Sequence, residues 1–287
     1  MFSKYKVNCT NLYDLVKNAR VNTPPSDSME EKYKLLFEKK VGELTKSDNT
    51  ILLNYLSSLY NYDPSILSSD VKSAIRKQFL YEYYGQGSIF SYEGKENLAS
   101  AKSRYCELDA INTISIIDGK KYVKNEKLYQ NSFFKGIPDI VYKKGRKVES
   151  VLDIKVCLDI SSFTEKKFSK ITDEHYWQMQ GYIDLFNIDK ATLVYILPDM
   201  PENLLSVIIS NAESKWLSEG LDINSIIERR NSLISNCKYP NISLEDRIYR
   251  IEIQRNDFDI DRAKKRIPSV REYLDELILQ MPKKING

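Results

Sequence analysis

Between residues 137 and 157 the sequence abandons helical periodicity and reads as two strands joined by a basic turn. Residues 137–142 (IPDIVY) are short, apolar and β-branched, and 148–157 (VESVLDIKVC) form a second such run. Lys143, Lys144, Gly145, Arg146 and Lys147 lie between them as a turn, so the pair reads as a β-hairpin with a slightly long loop. The surrounding chain is helical in spacing. Leu35, Leu36, Val41 and Leu44, then Leu52, Leu53, Leu56 and Leu59, mark amphipathic helices, and 71–84 and 92–106 are further helix candidates. After the hairpin, 173–186 returns to helix with Asp173 as N-cap, and 191–197 (ATLVYIL) is a buried strand. Residues 202–235 are helical and 247–254 (RIYRIEIQ) alternate as a half-buried strand. A last helix spans 259–280, bent or broken at Pro268. This order predicts one α/β (α+β) domain over 1–287: a small central mixed β-sheet flanked by helices, with a core at about 90–200. A helical N-terminal region (1–89) and a C-terminal strand with helices (201–287) are added to it.

The hairpin carries unusual charges. Side chains alternate along a strand, so Asp153 and Lys155 share a face while Ile154 points into the opposite layer. Hairpin pairing brings Asp139 beside them. Asp-x-Lys alone most often marks a solvated strand face. Two carboxylates and a lysine within strongly apolar strands need a further partner, because buried charges are not left unpaired. Two carboxylates suit Mg²⁺ or Mn²⁺.

Composition narrows the chemistry. The single histidine, His175, excludes a metal site built on two or more histidines of this chain and leaves one residue for any Ser-His-Asp mechanism. By position it is a hydrogen-bonded structural residue near a helix start. Cys9, Cys106, Cys157 and Cys237 are scattered, which fits a reducing cytoplasmic setting. No apolar run reaches membrane-spanning length, so no membrane partner is expected. Forty-three Lys and Arg against 40 Asp and Glu do not by themselves indicate nucleic-acid binding, but leave room for a local basic groove. Lys166, Lys167, Lys170, the hairpin-tip cations and the RAKKR run at 262–266 are candidates for phosphate contact or for plain solvated surface.

Pro138-Asp139 followed by Asp153-Ile154-Lys155 resembles the signature of the PD-(D/E)xK nuclease superfamily. Gln178 and Tyr182 in the helix HYWQMQGYIDLF resemble the Q-x-x-x-Y pattern of its lambda-exonuclease, YqaJ and RecB-like branch. The resemblance implies a restriction-endonuclease-like core and a Mg²⁺-dependent deoxyribonuclease, with Mn²⁺ able to substitute. It implies Asp139, Asp153 and the Ile154 carbonyl as metal ligands and Lys155 as the residue that positions or activates water. Gln178 and Tyr182 would lie beside the site. It further implies an acid on a preceding helix that completes the metal site; Glu96 is the best match for this ligand and Glu93 the alternative, with Glu82 and Glu107 less suited. Some RecB-like nucleases hold an Fe–S cluster on one upstream and three downstream cysteines; that close triplet is missing here, so no cluster is expected. The activity implied is an exonuclease resecting linear duplex DNA, often in phage recombination, with a single-strand annealing protein as partner and homo-oligomerisation open. A structure-specific or restriction-type endonuclease, and a catalytically silent DNA-binding protein, are the competing readings.

Overall fold

The computed structural model describes residues 2, 4–16, 32, 35–36, 39, 44–61, 66–84 and 97–281. They fall into two compact units. The expected helix at 35–44 lies largely outside the described residues.

The first unit comprises 1–89, 130–134 and 256–287. Its helices are Leu12–Val16, Lys46–Asn61, Ser69–Tyr84 and Asp257–Gln280. Val71, Ile75 and Phe79 recur every four residues and are buried, as are Ile260, Ala263, Ile267, Val270 and Leu274. Pro268 neither ends nor splits its helix, contrary to expectation. Proline removes one backbone donor, and the buried residues on both sides, Ile267 and Val270, hold the helix through it. Of the RAKKR run, Arg266 is buried and donates to the Leu15 carbonyl at 3.0 Å, and Arg262 pairs with Asp259 at 3.4 Å.

The second unit, 90–129 and 135–255, is built on one mixed sheet. Helix α1 (Leu98–Asp118) precedes the hairpin strands β1 (Ile140–Lys144) and β2 (Lys147–Val156). Then come α2 (Ile160–Phe168), α3 (Asp173–Phe186) and β3 (Lys190–Ile196). The unit ends with α4 (Glu202–Ser218), α5 (Ile223–Cys237) and β4 (Ile248–Gln254). The strands lie in the order β1-β2-β3-β4: β1/β2 antiparallel, β2/β3 parallel, β3/β4 antiparallel. This is the mixed α/β fold with a small central sheet that the sequence predicts.

Several local details differ from expectation: β1 begins at Ile140 rather than at 137, which leaves Asp139 just before the strand, and the helix expected over 202–235 is two helices, α4 and α5. The hairpin turn is tight: only Gly145 and Arg146 stand outside the strands, and Gly145 takes φ +64°, a conformation the missing Cβ permits. The N-cap of α3 is Thr172, one residue before Asp173; its hydroxyl accepts from the His175 N–H. Helix α1 runs on to Asp118, where Gly119 caps it at φ +60°. The extension is stabilised by packing, since Ala110, Ile111 and Ile114 are buried against Ile140, Leu152, Ile154, Val194 and Ile196 of the sheet. The other parity of β2 faces α3.

Lys102 of α1 is fully buried. Its ammonium donates to the carbonyls of Leu158 (2.9 Å) and Pro198 (2.7 Å), just past the ends of β2 and β3, and so ties α1 to that end of the sheet. Burial holds its pKa below the usual lysine range. No helix among the described residues is long and apolar enough to cross a membrane.

Candidate active site

Strand β1 stops pairing at Ile140–Leu152, one residue after Asp139. The next outward β2 donor, the Ile154 N–H, therefore has no β1 carbonyl, and the Asp139 carboxylate takes it at 2.5 Å. Two residues along the same face as Asp153, Lys155 places its ammonium 2.6 Å from Asp153 Oδ2. The contact is a close, charge-assisted one, and it opposes the upward push of burial on the Asp153 pKa. The two side chains differ sharply in exposure, 3% for Asp153 and 29% for Lys155. The acid sits in the protein and the lysine reaches from it toward solvent.

Helix α3 closes the site from above. His175, Gln178 and Tyr182 lie at i, i+3 and i+7, a single helical face. Gln178 is buried, and its amide is fully engaged. Its Nε2 donates to Asp153 Oδ1 (3.2 Å) and to the Tyr182 hydroxyl (3.1 Å), and its Oε1 accepts from Lys155 (3.2 Å). Tyr182 in turn donates to the Ile137 carbonyl at 3.4 Å. A glutamine is suited to this point because it offers a donor to the carboxylate and an acceptor to the ammonium together. His175 bonds through Nδ1 to the Tyr195 hydroxyl of β3 at 2.7 Å. Burial, then the positive charges of Lys155 and Lys166, lower its pKa to about 4, so it stands neutral at physiological pH. This matches the structural role predicted from its position.

Electrostatics leave the two acids short of positive charge. Burial and the neighbouring Asp153 raise Asp139 to about 7 despite the Ile154 N–H and Lys155. Burial raises Asp153 as well, against the pull of Lys155. Lys155 alone does not neutralise two buried carboxylates. A cavity of about 340 Å³ opens beside Asp139 and Ile154, and Ser100, Ser103, Arg104 and Glu107 of α1 line its other wall. Among the described residues no three His, Cys, Asp or Glu side chains gather closely enough to hold a metal by themselves. The donor set still suits a hydrated divalent cation, which commonly takes one or two carboxylates and keeps several waters. Two buried, upward-shifted acids that share a single lysine are what such an ion would relieve.

The structure thus brings together Asp139, Asp153, Ile154, Lys155, Gln178 and Tyr182. Glu96 and Glu93 lie outside the described residues. Glu82 belongs to the other unit, where Gln78 donates to it at 2.9 Å. Glu107 faces the Asp139 cavity and pairs with Lys124 at 2.9 Å. It was the less suited choice in sequence, because a glutamate in the middle of a helix gives no local signal of what it faces. Asn125 is likewise invisible to motif reading. Its backbone N–H donates to the Asp139 carbonyl (2.8 Å) and its side chain to that of Pro138 (2.9 Å), which fixes the loop bearing Asp139.

No protein-family model matches the chain, and no curated protein matches it by sequence. Among solved structures it is similar to the phage related exonuclease from Haemophilus somnus 129PT, with 23% identity, 97% of both chains covered and a TM-score of 0.59. The chain shares that fold. The alkaline exonuclease LHK-Exo from Laribacter hongkongensis matches with 13% identity over 97% of this chain and 90% of that one, at a TM-score of 0.47.

Gln178→Leu isolates what the amide contributes. It strips a partner from Asp153, Lys155 and Tyr182 together, so a stability loss of about 1–3 kcal/mol is expected in thermal melts. If the site is catalytic, turnover should fall about 10–100-fold, as for a residue that orients the groups doing chemistry. Tyr182→Phe, which keeps the ring, should cost far less on both measures.

Proposed function

We propose that the protein is a metal-dependent deoxyribonuclease of the PD-(D/E)xK type, acting as an exonuclease on linear duplex DNA. One observation carries the reading: Asp139, Asp153 and Lys155 converge at the end of the hairpin, and Gln178 locks the last two together. The fold shared with a phage related exonuclease supports it.

Asp139, Asp153 and the backbone of Ile154 would hold Mg²⁺, or Mn²⁺ in its place. When bound, that ion supplies positive charge against the phosphate and makes water a better nucleophile near neutral pH. The chain's own residues do the rest. Lys155, anchored at one end by Asp153 and Gln178, presents an ammonium proton where an attacking water and a phosphate oxygen would meet. Gln178 keeps Lys155 from folding onto solvent and keeps Asp153 turned toward it. Tyr182 ties α3 to the loop that leads into Asp139. The cavity between α1 and β2 gives a phosphate access to Asp139. The sequence resemblance extends this reading to end resection in phage-type recombination, ahead of a single-strand annealing protein.

The experiment compares linear with covalently closed circular duplex in Mg²⁺. Progressive release of nucleotides from linear DNA, with circles intact, is the expected result. Cutting of closed circles would replace the exonuclease with an endonuclease of the same fold. Binding without any cleavage would leave a silent DNA-binding protein.

A further inference from the structure

The chain carries an excess of only three positive charges, yet 119–129 and 135–150 together hold nine basic residues against three acidic ones. Both stretches belong to the unit that bears the candidate site. Asn125 pins the first stretch beside Asp139, and the second is the hairpin itself. We infer that this strip is a track for the phosphate backbone of a DNA duplex, leading from the hairpin tip to Asp139. The inference rests on the nuclease reading and names how that site holds its substrate.

Four features fit a duplex backbone. Lys143, Lys144, Arg146 and Lys147 are exposed, and none has an acidic partner among the described residues. The tight turn at Gly145 projects these four cations from both strands at one place. Strand β1 sets the length: five residues separate Asp139 from Lys144, about 17 Å of extended chain. That span corresponds to about five base-pair steps of rise along a duplex axis, at about 3.4 Å each. Finally, the tyrosines of the strip are already covered. Lys127 and Lys143 lie over the Tyr129 ring at 5.4 and 5.6 Å, and Lys120 lies over Tyr142 at 5.2 Å. A single-strand platform needs bare aromatic faces on which bases stack. Here the rings hold ammonium groups in place, which suits charge recognition of a backbone.

The test is salt-dependent binding of a 20-base-pair duplex, followed by fluorescence anisotropy in Mg²⁺. Asp153→Asn is included in every protein so that the DNA survives. One protein further carries K143Q, K144Q, R146Q and K147Q, all exposed turn positions outside the catalytic groups. It should bind at least tenfold more weakly at about 0.1 M salt, with a log–log salt slope shallower by up to about 3–4. Its melting temperature should be unchanged. Equal affinity and slope in the two proteins would overturn the track while leaving the nuclease reading intact. So would a loss seen with single-stranded but not duplex DNA. Absence of duplex binding by the Asp153→Asn protein itself, together with absence of cleavage by the unmodified protein, would overturn both.

Discussion

Asp153→Asn should abolish nuclease activity and make the metal-free protein more stable. The second half follows from burial. The Asp153 carboxylate is nearly inaccessible, accepts from Gln178 through one oxygen and pairs with Lys155 through the other. Asp139 stands close enough for Asp153 to raise its pKa. An uncharged amide keeps the Gln178 contact and removes the desolvated charge. Lys155 loses its pair, but it reaches solvent and stays hydrated. The gain should be about 1–3 kcal/mol, within the range seen when buried ion pairs give way to neutral groups. In a unit of this size that is about 2–4 °C of melting temperature per kcal/mol. The pH dependence has a definite sign. Asp139 has a folded pKa raised from its unfolded value to about 7. Between about pH 4 and 7 the folded state holds a proton that the unfolded state has lost, so metal-free stability falls as pH rises through that window. A bound divalent cation favours the ionised acids. The melting shift produced by Mg²⁺ should therefore be larger at pH 8 than at pH 6, and Asp153→Asn should shrink it. A destabilised Asp153→Asn protein would show that the acid is satisfied without a metal.

Lys155→Met should also be severely impaired, with the opposite effect on stability. Removing the ammonium leaves Asp153 buried and unpaired, and breaking such a pair from one side costs about 3–5 kcal/mol. Gln178 Oε1 also loses its donor. Turnover should fall by about 10²–10⁴, the size of a positioned proton-handling group. The stability deficit has its own pH signature. Without Lys155 the pKa of Asp153, already raised by burial, rises further. An acid with a raised folded pKa stabilises below its unfolded pKa and loses that contribution as pH climbs. The deficit should accordingly be small near pH 5 and large near pH 8, as read by denaturant unfolding at both. Two impaired variants with opposite stability changes would separate a built catalytic site from a structural salt bridge, whose two halves destabilise alike.

The sequence was informative where local chemistry decides the outcome. The second hairpin strand, the bounds of α3 and the buried strand β3 were legible because strand alternation and helical spacing are strong over those stretches. The pairing of Asp153 with Lys155 and the shared face of Gln178 and Tyr182 follow from those periods alone. What was illegible depends on contacts distant in sequence. The extension of α1 past Cys106 runs through Ile111 and Ile114, β-branched residues held in the helix because the sheet receives them. The continuous helix across Pro268 is a tertiary outcome of the same kind. Thr172 and Asp173 are both good N-caps, and spacing cannot choose between them. At the site, Glu107 and Asn125 are ordinary residues until folding sets one across a cavity from Asp139 and the other on its carbonyl.

The central claim is that Asp153 serves a metal-dependent cleavage of DNA. Its most direct test is nucleotide release from linear duplex by the native protein and by Asp153→Asn, each in Mg²⁺ and in EDTA. Release by the native protein in Mg²⁺ alone, with the other three conditions blank, is predicted. Release that persists in EDTA or in Asp153→Asn, or its absence in all four conditions, would contradict the account.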